Sequence, residues 1–291
     1  MNAASAETVA AAFVAACRAE LDALKPGNVH VHAAGHGMEV DDFLLSAEVS
    51  AGPIADPRLG IGARILATVA ATRAACGQNT TLGILLLGAP LAAAAQVGGD
   101  LAASLVGVLA SLTVEDASLA YRAIRLASPA GLGRTDRHDV AEEPAITLLE
   151  AMRTAAARDR IAWQYANAYA DVLELGVPRL RRCRARGWPE PWAVTSTYLA
   201  FLAAFPDSHI LRKHGPAAAE EVRATAVRLD AALLAADDPA ALHETLLEAD
   251  RRLKAAGLNP GTSADLTVAS HLATGLGSDA RLIGDKSITE R

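Results

Sequence analysis

The sequence predicts an all-α protein, built as a single-domain multi-helix bundle, and three observations support this class. Hydrophobic residues make up 52% of the 291-residue chain but aromatic residues only 4%, so the helix formers Ala and Leu dominate the apolar set. Apolar residues recur at steps of three and four, and no segment alternates as a half-buried strand does. No repeat and no Pro- or Ser-rich linker divides the chain. We therefore expect one helical domain over residues 1–291, with residues 276–291 as a loosely ordered tail.

Five helices are predicted in the first half of the chain. The first ends at a Lys-Pro-Gly sequence, and a His- and Gly-rich loop separates it from the second. Pro57 suits the first turn of the third helix, because its missing N–H would have no partner there. Polar residues at 79–81 cap the fourth, whose apolar run is shorter than the roughly 20 residues that span a bilayer. The predicted helices are residues 7–24, a helix opened by Asp41 or Asp42, 57–75, 82–95 and 119–126.

The second half continues the helical pattern with clearer end signals. Residues 144–174 carry an apolar stripe that fits one long helix or a kinked pair. Gly257 suits a helix end, where a left-handed backbone is common, and Thr262 or Ser263 caps the last helix. The remaining predicted helices are 192–205, one starting at Pro216, one starting at Asp238-Pro239, and the last one, which runs to Leu272.

Charge and cysteine content narrow the cellular setting. The net charge of −6 provides no positive field for a nucleic-acid backbone, so no nucleic-acid partner is expected. Five arginines within residues 179–186 are more typical of a solvated helix end than of a phosphate-binding surface. Three separated cysteines without CxxC spacing indicate a reducing compartment, and the N-terminus lacks the basic start of a secretory signal. We expect a cytoplasmic protein without a membrane segment, with a homodimer as one open option.

Four polar segments interrupt the apolar helices, and each falls at a predicted helix end. Helix N-termini offer free N–H groups and partial positive charge, which suit phosphate oxygens. Taken singly, each segment also has an ordinary explanation in helix capping or surface ion pairs, and for Gly77 to Gly83 capping is the stronger explanation on local evidence. The segments are Lys25 to Asp42 with its histidines, Gly77 to Gly83, the acids and amides from Asp136 to Tyr165, and the pair 206–213 with 260–266.

Taken in order, these segments resemble one family, triphosphoribosyl-dephospho-CoA synthase. The motifs are Lys25-Pro26-Gly27, Asn79-Thr80, Asp159-Arg160-Ile161 with Gln164-Tyr165, Asp207-Ser208, and Pro260-Gly261-Thr262-Ser263-Ala264-Asp265-Leu266. The resemblance spans about residues 20–272, and the last motif is its most specific part. It implies an all-helical enzyme that moves the triphosphoribosyl group of ATP to the 2′-hydroxyl of 3′-dephospho-CoA and releases adenine.

Two departures from the family pattern bear on the acceptor. Asn28-Val29-His30 stands where Leu-Val-Asp is usual, and Thr262 replaces the second glycine of a Gly-Gly-Ser-Ala-Asp motif. The first departure looks like a branch found in archaea and methylotrophic bacteria. An intermediate of tetrahydromethanopterin or methanofuran synthesis is therefore an alternative acceptor.

The resemblance, together with the chemistry of the side chains, implies a set of site residues. The expected ligands are ATP and a small-molecule acceptor, with Mg²⁺ bridging phosphate oxygens to Asp207 or Asp265. His36 or Asp41 is predicted to be the general base that activates the acceptor hydroxyl. The predicted ATP- and phosphate-binding residues are Lys25, Asn28, Asn79, Thr80, Arg160, Arg212, Lys213 and Ser263.

Two other classes of protein compete with this interpretation. His138-Asp139 is the dipeptide of helical metal phosphohydrolases, which would bind a transition metal and release phosphate without an acceptor. A non-catalytic helical scaffold would use the polar residues only as helix caps and would bind no nucleotide. Clustering of polar residues at several helix ends exceeds what capping requires, which favours the enzyme.

Overall fold

The computed structural model describes residues 2–33, 40–77, 81–127 and 139–277. These ranges contain 14 α-helices and no β-strand, which confirms the predicted all-α class. A π-helical turn, Asp171–Gly176, precedes α9, and a 3₁₀ turn, Pro239–Leu242, precedes α13. The helices are α1 Ala6–Asp22, α2 Val40–Ala55, α3 Ile61–Cys76, α4 Leu82–Val97, α5 Leu101–Ala110, α6 Val114–Ala127, α7 Leu148–Ala155, α8 Arg160–Ala166, α9 Val177–Ala185, α10 Glu190–Ala204, α11 Ser208–His214, α12 Pro216–Ala235, α13 His243–Ala255 and α14 Gly261–Leu276.

Two helices, α4 and α14, form the centre of the bundle. Eleven of the 16 residues of α4 and 12 of the 16 residues of α14 are buried, so neither helix has a solvent face of ordinary width. One hydrophobic cluster surrounds them with side chains of α1 to α9, and a second cluster joins α9 to α13. Leu266 of α14 belongs to the first cluster and Ala264 to the second, so α14 connects the two parts of the core.

Buried hydroxyl groups along α14 are satisfied inside the helix. Thr267, Ser270 and Thr274 each donate a hydrogen bond of 2.8 Å to the carbonyl oxygen four residues earlier. These short side chains also let neighbouring backbone approach, since a Cβ on Gly176 would overlap the Ser270 side chain. The central helix is therefore polar in composition yet packs as a core element.

Pro90 interrupts the hydrogen bonding of α4, and a tyrosine compensates. Proline has no N–H, so the carbonyl of Leu86 loses its partner within the helix, a change that costs about 3 kcal/mol in a helix interior. The Tyr165 hydroxyl donates to that carbonyl over 2.6 Å, and Tyr169 donates to the carbonyl of Leu87 over 3.1 Å. Both tyrosines are fully buried, so they also tie the segment that follows α7 to the central helix.

The segment predicted as a long helix or kinked pair, 144–174, is broken twice. Asp159 caps α8 by accepting hydrogen bonds from the N–H groups of Ile161 and Ala162, which starts a new helix direction. After α8, Ala168 and Tyr169 adopt positive φ angles of 50° and 62°, so the helix cannot continue. The short helices α5, α9 and α11 were not predicted. Helix α14 runs to Leu276, and residues 278–291 of the predicted tail lie outside the described residues.

None of the helices in the described ranges is, by itself, long and apolar enough to cross a membrane. Helices α4 and α5 reach the required length and composition only when combined, and they are bent by 114° relative to each other.

Candidate active site

The first turns of four helices, α4, α8, α11 and α14, meet in one region of the bundle. We call this region the junction, and it comprises these four N-termini and the residue that precedes each. The backbone N–H of Arg160, in α8, donates to Ser208 Oγ of α11 over 2.8 Å. Asp207 Oδ2, before α11, accepts from both the N–H and the hydroxyl of Ser263 in α14, each over 2.8 Å. Residues 48 and 56 positions apart in sequence are thus joined.

Helix α4 enters the junction through Gly83. A Cβ placed on this glycine would overlap the Asp265 carboxylate of α14 and would lie 2.8 Å from Ile161 Cδ1 of α8. Only glycine permits this approach, so the carboxylate reaches the backbone of the first turn of α4. Thr81 precedes α4 without a side-chain capping hydrogen bond, and the N–H groups of Gly83 and Ile84 in the first turn of this 16-residue helix are available for an acceptor.

Asp207 holds the junction together. It is fully buried, and its Oδ1 accepts from the N–H groups of His209 and Ile210 while its Oδ2 binds Ser263. Burial raises the pKa of this carboxyl group, although the hydrogen bonds to Ser263, Ile210 and His209 oppose that change. Because both oxygens are occupied by four hydrogen bonds, Asp207 fits poorly as a metal ligand and joins α11 to α14 instead.

Asp265 is the contrasting carboxylate of the junction. Among the described residues it has no hydrogen-bond or ion-pair partner, and it is only partly buried. Burial raises its pKa well above the usual range, and the nearby charges of Asp207, Glu20 and Asp159 raise it further, against the effect of Arg212. Such a carboxylate favours a proton, a cation or a hydrogen-bond donor from a ligand.

Two arginines contact the junction and are held by carboxylates: Arg160, the first residue of α8, and Arg212, in the last turn of α11. Arg212 Nη1 binds Asp159 Oδ2 over 2.7 Å, and its Nε is buried without a hydrogen-bond partner. Arg160 forms two hydrogen bonds with Asp171, of 2.7 and 2.8 Å, and stacks between the rings of Trp163 and Phe205. Arg160 is therefore fixed in position by Asp171 and the two rings, whereas Arg212 has a buried Nε donor without a partner.

The Lys-Pro-Gly segment lies beside the start of α14. Lys25 is fully buried, and its ammonium group contacts the carbonyls of Glu20 and Val29 and the Glu20 carboxylate, at 2.7, 2.6 and 3.1 Å. Asn28 donates to Asn259 Oδ1 over 2.8 Å. Gly27, at φ 85°, packs against Pro260, where a side chain would clash. The predicted phosphate ligands Lys25 and Asn28 are thus used in internal contacts that support the junction.

The other predicted residues occupy three kinds of position. Lys213 is exposed in the last turn of α11. Asp41 is exposed in the first turn of α2, next to Asp42, whose carbonyl accepts from the thiol of Cys76 at the end of α3. The start of α2 therefore lies beside the end of α3. His36, Asn79, Thr80 and His138 lie outside the described residues.

The described residues contain no group of three or more His, Cys, Asp or Glu side chains arranged to hold a metal ion. Mg²⁺ is usually held by one or two carboxylates together with substrate phosphates. A single carboxylate, that of Asp265, is therefore sufficient for this mode of binding. Two polar groups were missed as site residues. Thr81 Oγ1 and Gln164 Oε1 are buried without hydrogen-bond partners at the helices of the junction. Gln164 belonged to a recognised motif but had no assigned role, and nothing in the sequence marked Thr81 beyond capping.

Fold and site together define an all-helical protein in which the N-termini of four helices converge on one region. A family model, CitG, described as ATP:dephospho-CoA triphosphoribosyl transferase, matches residues 6–282. The chain belongs to this family and is a transferase of the triphosphoribosyl-dephospho-CoA synthase type. This match confirms the predicted family and activity, and it favours neither the phosphohydrolase nor the scaffold.

One solved structure is similar over most of the chain. It is a crystal structure from Archaeoglobus fulgidus, described as a "putative triphosphoribosyl-dephospho-coA synthase", with 27% sequence identity and a TM-score of 0.62. The alignment covers 80% of this chain and 99% of that chain. A comparison with curated proteins found no match.

Proposed function

We propose that the junction is where this transferase binds the triphosphate of ATP and moves the triphosphoribosyl group to a hydroxyl of dephospho-CoA. The observation that carries the proposal is the position of Asp265, a carboxylate without a described partner at the uncapped first turn of α4. Motif segments from distant parts of the chain surround it, as a site for one anionic ligand requires.

Phosphate binding is assigned to groups that have donors to spare. These are the N–H groups of Gly83 and Ile84 in the first turn of α4, the Nε of Arg212 and the exposed ammonium of Lys213. Hydrogen bonds that involve a charged group contribute about 1.5–3 kcal/mol each. Lys25, Asn28 and Ser263 are assigned an indirect role, because their polar atoms already bind Glu20, Asn259 and Asp207.

We assign Mg²⁺ to Asp265 rather than to Asp207. When bound with ATP, the ion would neutralise charge on the phosphate oxygens, which a junction rich in carboxylates needs. Asp265 provides a carboxylate for it, whereas both Asp207 oxygens accept hydrogen bonds from protein groups. The work of Asp207 is to keep α11 and α14 in register beside the ion.

The general base is assigned to the start of α2 or to the loop before it. Asp41 lies in the first turn of α2, and His36 belongs to the preceding segment. A base within reach of the acceptor hydroxyl would contribute about 10²–10⁴ in rate. The oxygen of that hydroxyl attacks the anomeric carbon, the bond to adenine breaks, and adenine leaves with the electron pair and takes up a proton.

Dephospho-CoA is the acceptor that the family favours. Contacts within the protein explain the departure at Asn28-Val29-His30. Asn28 binds Asn259, and His30 Nε2 lies 3.3 Å from Asp250 Oδ1. The departure therefore gives no support for a different acceptor. We also propose a cytoplasmic location, because ATP is the donor and the three cysteines are free thiols. Light scattering would decide whether the chain forms a homodimer.

The test is an incubation of the pure chain with ATP, Mg²⁺ and dephospho-CoA. Free adenine should appear in equal amount with dephospho-CoA that has gained a triphosphoribosyl group, measured by mass spectrometry. Asp265→Asn should abolish both products, and the exposed carboxylate variant Asp237→Asn should form them at the normal rate. Release of ADP or AMP without adenine would contradict ribosyl transfer.

A further inference from the structure

Gln164 and Tyr165 are neighbours in one motif, yet the structure uses them differently. The Tyr165 hydroxyl donates to the carbonyl that Pro90 leaves without a partner in α4. Gln164 is also fully buried, but its Oε1 accepts no hydrogen bond. The tyrosine is therefore accounted for by the fold, whereas the carbonyl group of the glutamine is not.

The orientation of the Gln164 amide is determined by its neighbours. Its Nε2 donates to Asp171 Oδ2 over 2.5 Å and to the carbonyl of Arg160 over 3.3 Å. Carboxylate and carbonyl oxygens accept only, so the NH₂ group must lie on that side and Oε1 on the other. Asp171 is itself held by two hydrogen bonds from Arg160, which stacks between two aromatic rings. Arg160 and Asp171 are thus positioning residues.

The free oxygen belongs to the side of α8 that faces the junction. Residues three apart on a helix share a face, and Ile161 contacts the first turn of α4 at Gly83. Gln164 therefore lies one turn after the N-terminus of α8, on the face of that helix that is directed towards α4. Two more buried polar atoms without partners lie nearby: Thr81 Oγ1, directly before α4, and the Nε of Arg212, whose Nη1 binds Asp159 before α8.

We propose that Gln164 Oε1 is a specificity-determining acceptor that receives a hydrogen bond from the ATP donor, through a ribose hydroxyl or the adenine amino group. A buried acceptor of fixed orientation discriminates strongly against a ligand that lacks the matching donor, because its own desolvation is then not compensated. This inference rests on the proposed function, since it assumes that ATP occupies the junction.

A near-isosteric variant and a matched control test the proposal. Gln164→Met removes the acceptor while keeping the side-chain length. Gln96, in the last turn of α4, also has a buried Oε1 without a partner, and its Nε2 donates to the Ala55 carbonyl over 2.7 Å. Gln96→Met therefore repeats the chemical change at the end of α4 away from the junction. The donors compared are ATP, 2′-deoxyATP, 3′-deoxyATP and the triphosphate of purine riboside, which lacks the amino group.

The proposal predicts that Gln164→Met lowers kcat/KM for ATP about tenfold or more, and that Gln96→Met leaves it unchanged. With the unmodified protein, one analogue should show the same loss of kcat/KM relative to ATP. With Gln164→Met that analogue should show no further loss, and the group it lacks is then the one that donates to Gln164. Equal effects of both substitutions, or additive losses with all three analogues, would overturn the proposal.

Calorimetric measurement of ATP binding in the absence of acceptor distinguishes failure of the proposed transfer reaction from failure of the Gln164 assignment. If the protein forms no adenine but Gln164→Met weakens ATP binding and Gln96→Met does not, the transfer reaction is wrong and the assignment of Gln164 stands. If adenine is formed normally and Gln164→Met changes neither binding nor kcat/KM, the assignment of Gln164 is wrong and the transfer reaction stands.

Discussion

The Lys-Pro-Gly segment and the junction lie beside each other and both contain buried charged groups, but only the junction includes a carboxylate without a described partner. Lys25 is paired with Glu20, and Asp250 accepts from the N–H of Gly27 and pairs with Lys254 at 3.0 Å. In the junction, Asp265 has no described partner. Burying an unpaired charge is costly, so it is retained where a ligand or cation pairs with it. We therefore distinguish structural from functional charged residues by whether the side chain has a partner within the protein, and not by residue type.

Removing Lys25 should have the largest effect, and on stability. In Lys25→Met the buried Glu20 carboxylate loses its partner, and breaking a buried pair in this way costs about 3–5 kcal/mol. Urea unfolding of Lys25→Met would measure the loss, with the exposed Lys213→Met as a control that changes stability little. Adding Glu20→Gln should recover part of the loss. Normal stability with a raised KM for ATP would instead make Lys25 a direct phosphate ligand and break the comparison.

Asp265→Asn should show the reverse behaviour: a large loss of activity and no loss of stability. We expect kcat to fall about 10²–10³-fold, the magnitude seen when one preorganised electrostatic group is removed from an active site. A stopped assay of adenine release would measure it. A variant that unfolds easily would show that Asp265 has a structural partner and would contradict the assignment.

The pH dependence of stability sharpens the prediction for Asp265. Its pKa in the folded protein is raised above the usual 3.8, so the folded state holds the proton more tightly than the unfolded chain. Stability is therefore lost as pH rises from near 3.8 through the folded-state pKa. Asp265→Asn removes this loss, so its Tm should exceed that of the unmodified protein at pH 7, and the difference should shrink towards zero below pH 4. A constant difference across this range would contradict the raised pKa.

Asp207→Ala should destabilise the fold by about 2–3 kcal/mol, because it removes a helix cap and leaves Ser263 without its acceptor. Asp238→Ala is the matched control, since Asp238 caps only a short exposed 3₁₀ turn and makes no comparable contact with another helix. Its loss should stay near 1 kcal/mol or less. Equal losses, measured by thermal unfolding, would mean that the tie between α11 and α14 contributes nothing.

Arg212→Gln should have the smallest effect, a rise of about tenfold in KM for ATP, since one charge-assisted donor is lost. Arg223, which pairs with Glu220 on the surface of α12, provides the control Arg223→Gln, for which KM should not change. If only kcat changed in Arg212→Gln, the arginine would act on the transition state rather than in ATP binding.

The fold could be predicted well where local signals are strong and poorly where they are not. The helices that became α1 to α4 and α10 to α14, apart from α11, were expected from apolar periodicity, proline and glycine positions and capping residues. Helix α5 was missed because its sequence shows little contrast between apolar and polar positions. The break between α7 and α8 was missed because the apolar periodicity continues across Asp159, the residue that caps α8. For the candidate site, the sequence named residues but not their contacts. Lys25 and Asp207 are occupied by internal contacts, and Gln164, which we propose as an acceptor for ATP, had no assigned role.

The sequence by itself determined the helical class, most helix positions and the family, because periodicity, capping and motif order are properties of neighbouring residues. Only the tertiary structure decided which polar side chain has a partner. The Gly27 N–H reaches Asp250, the Arg160 N–H reaches Ser208, and Ser263 reaches Asp207, all across more than 40 residues of chain. Whether a buried charge is satisfied depends on atoms brought close by packing, and that information lies in no single segment.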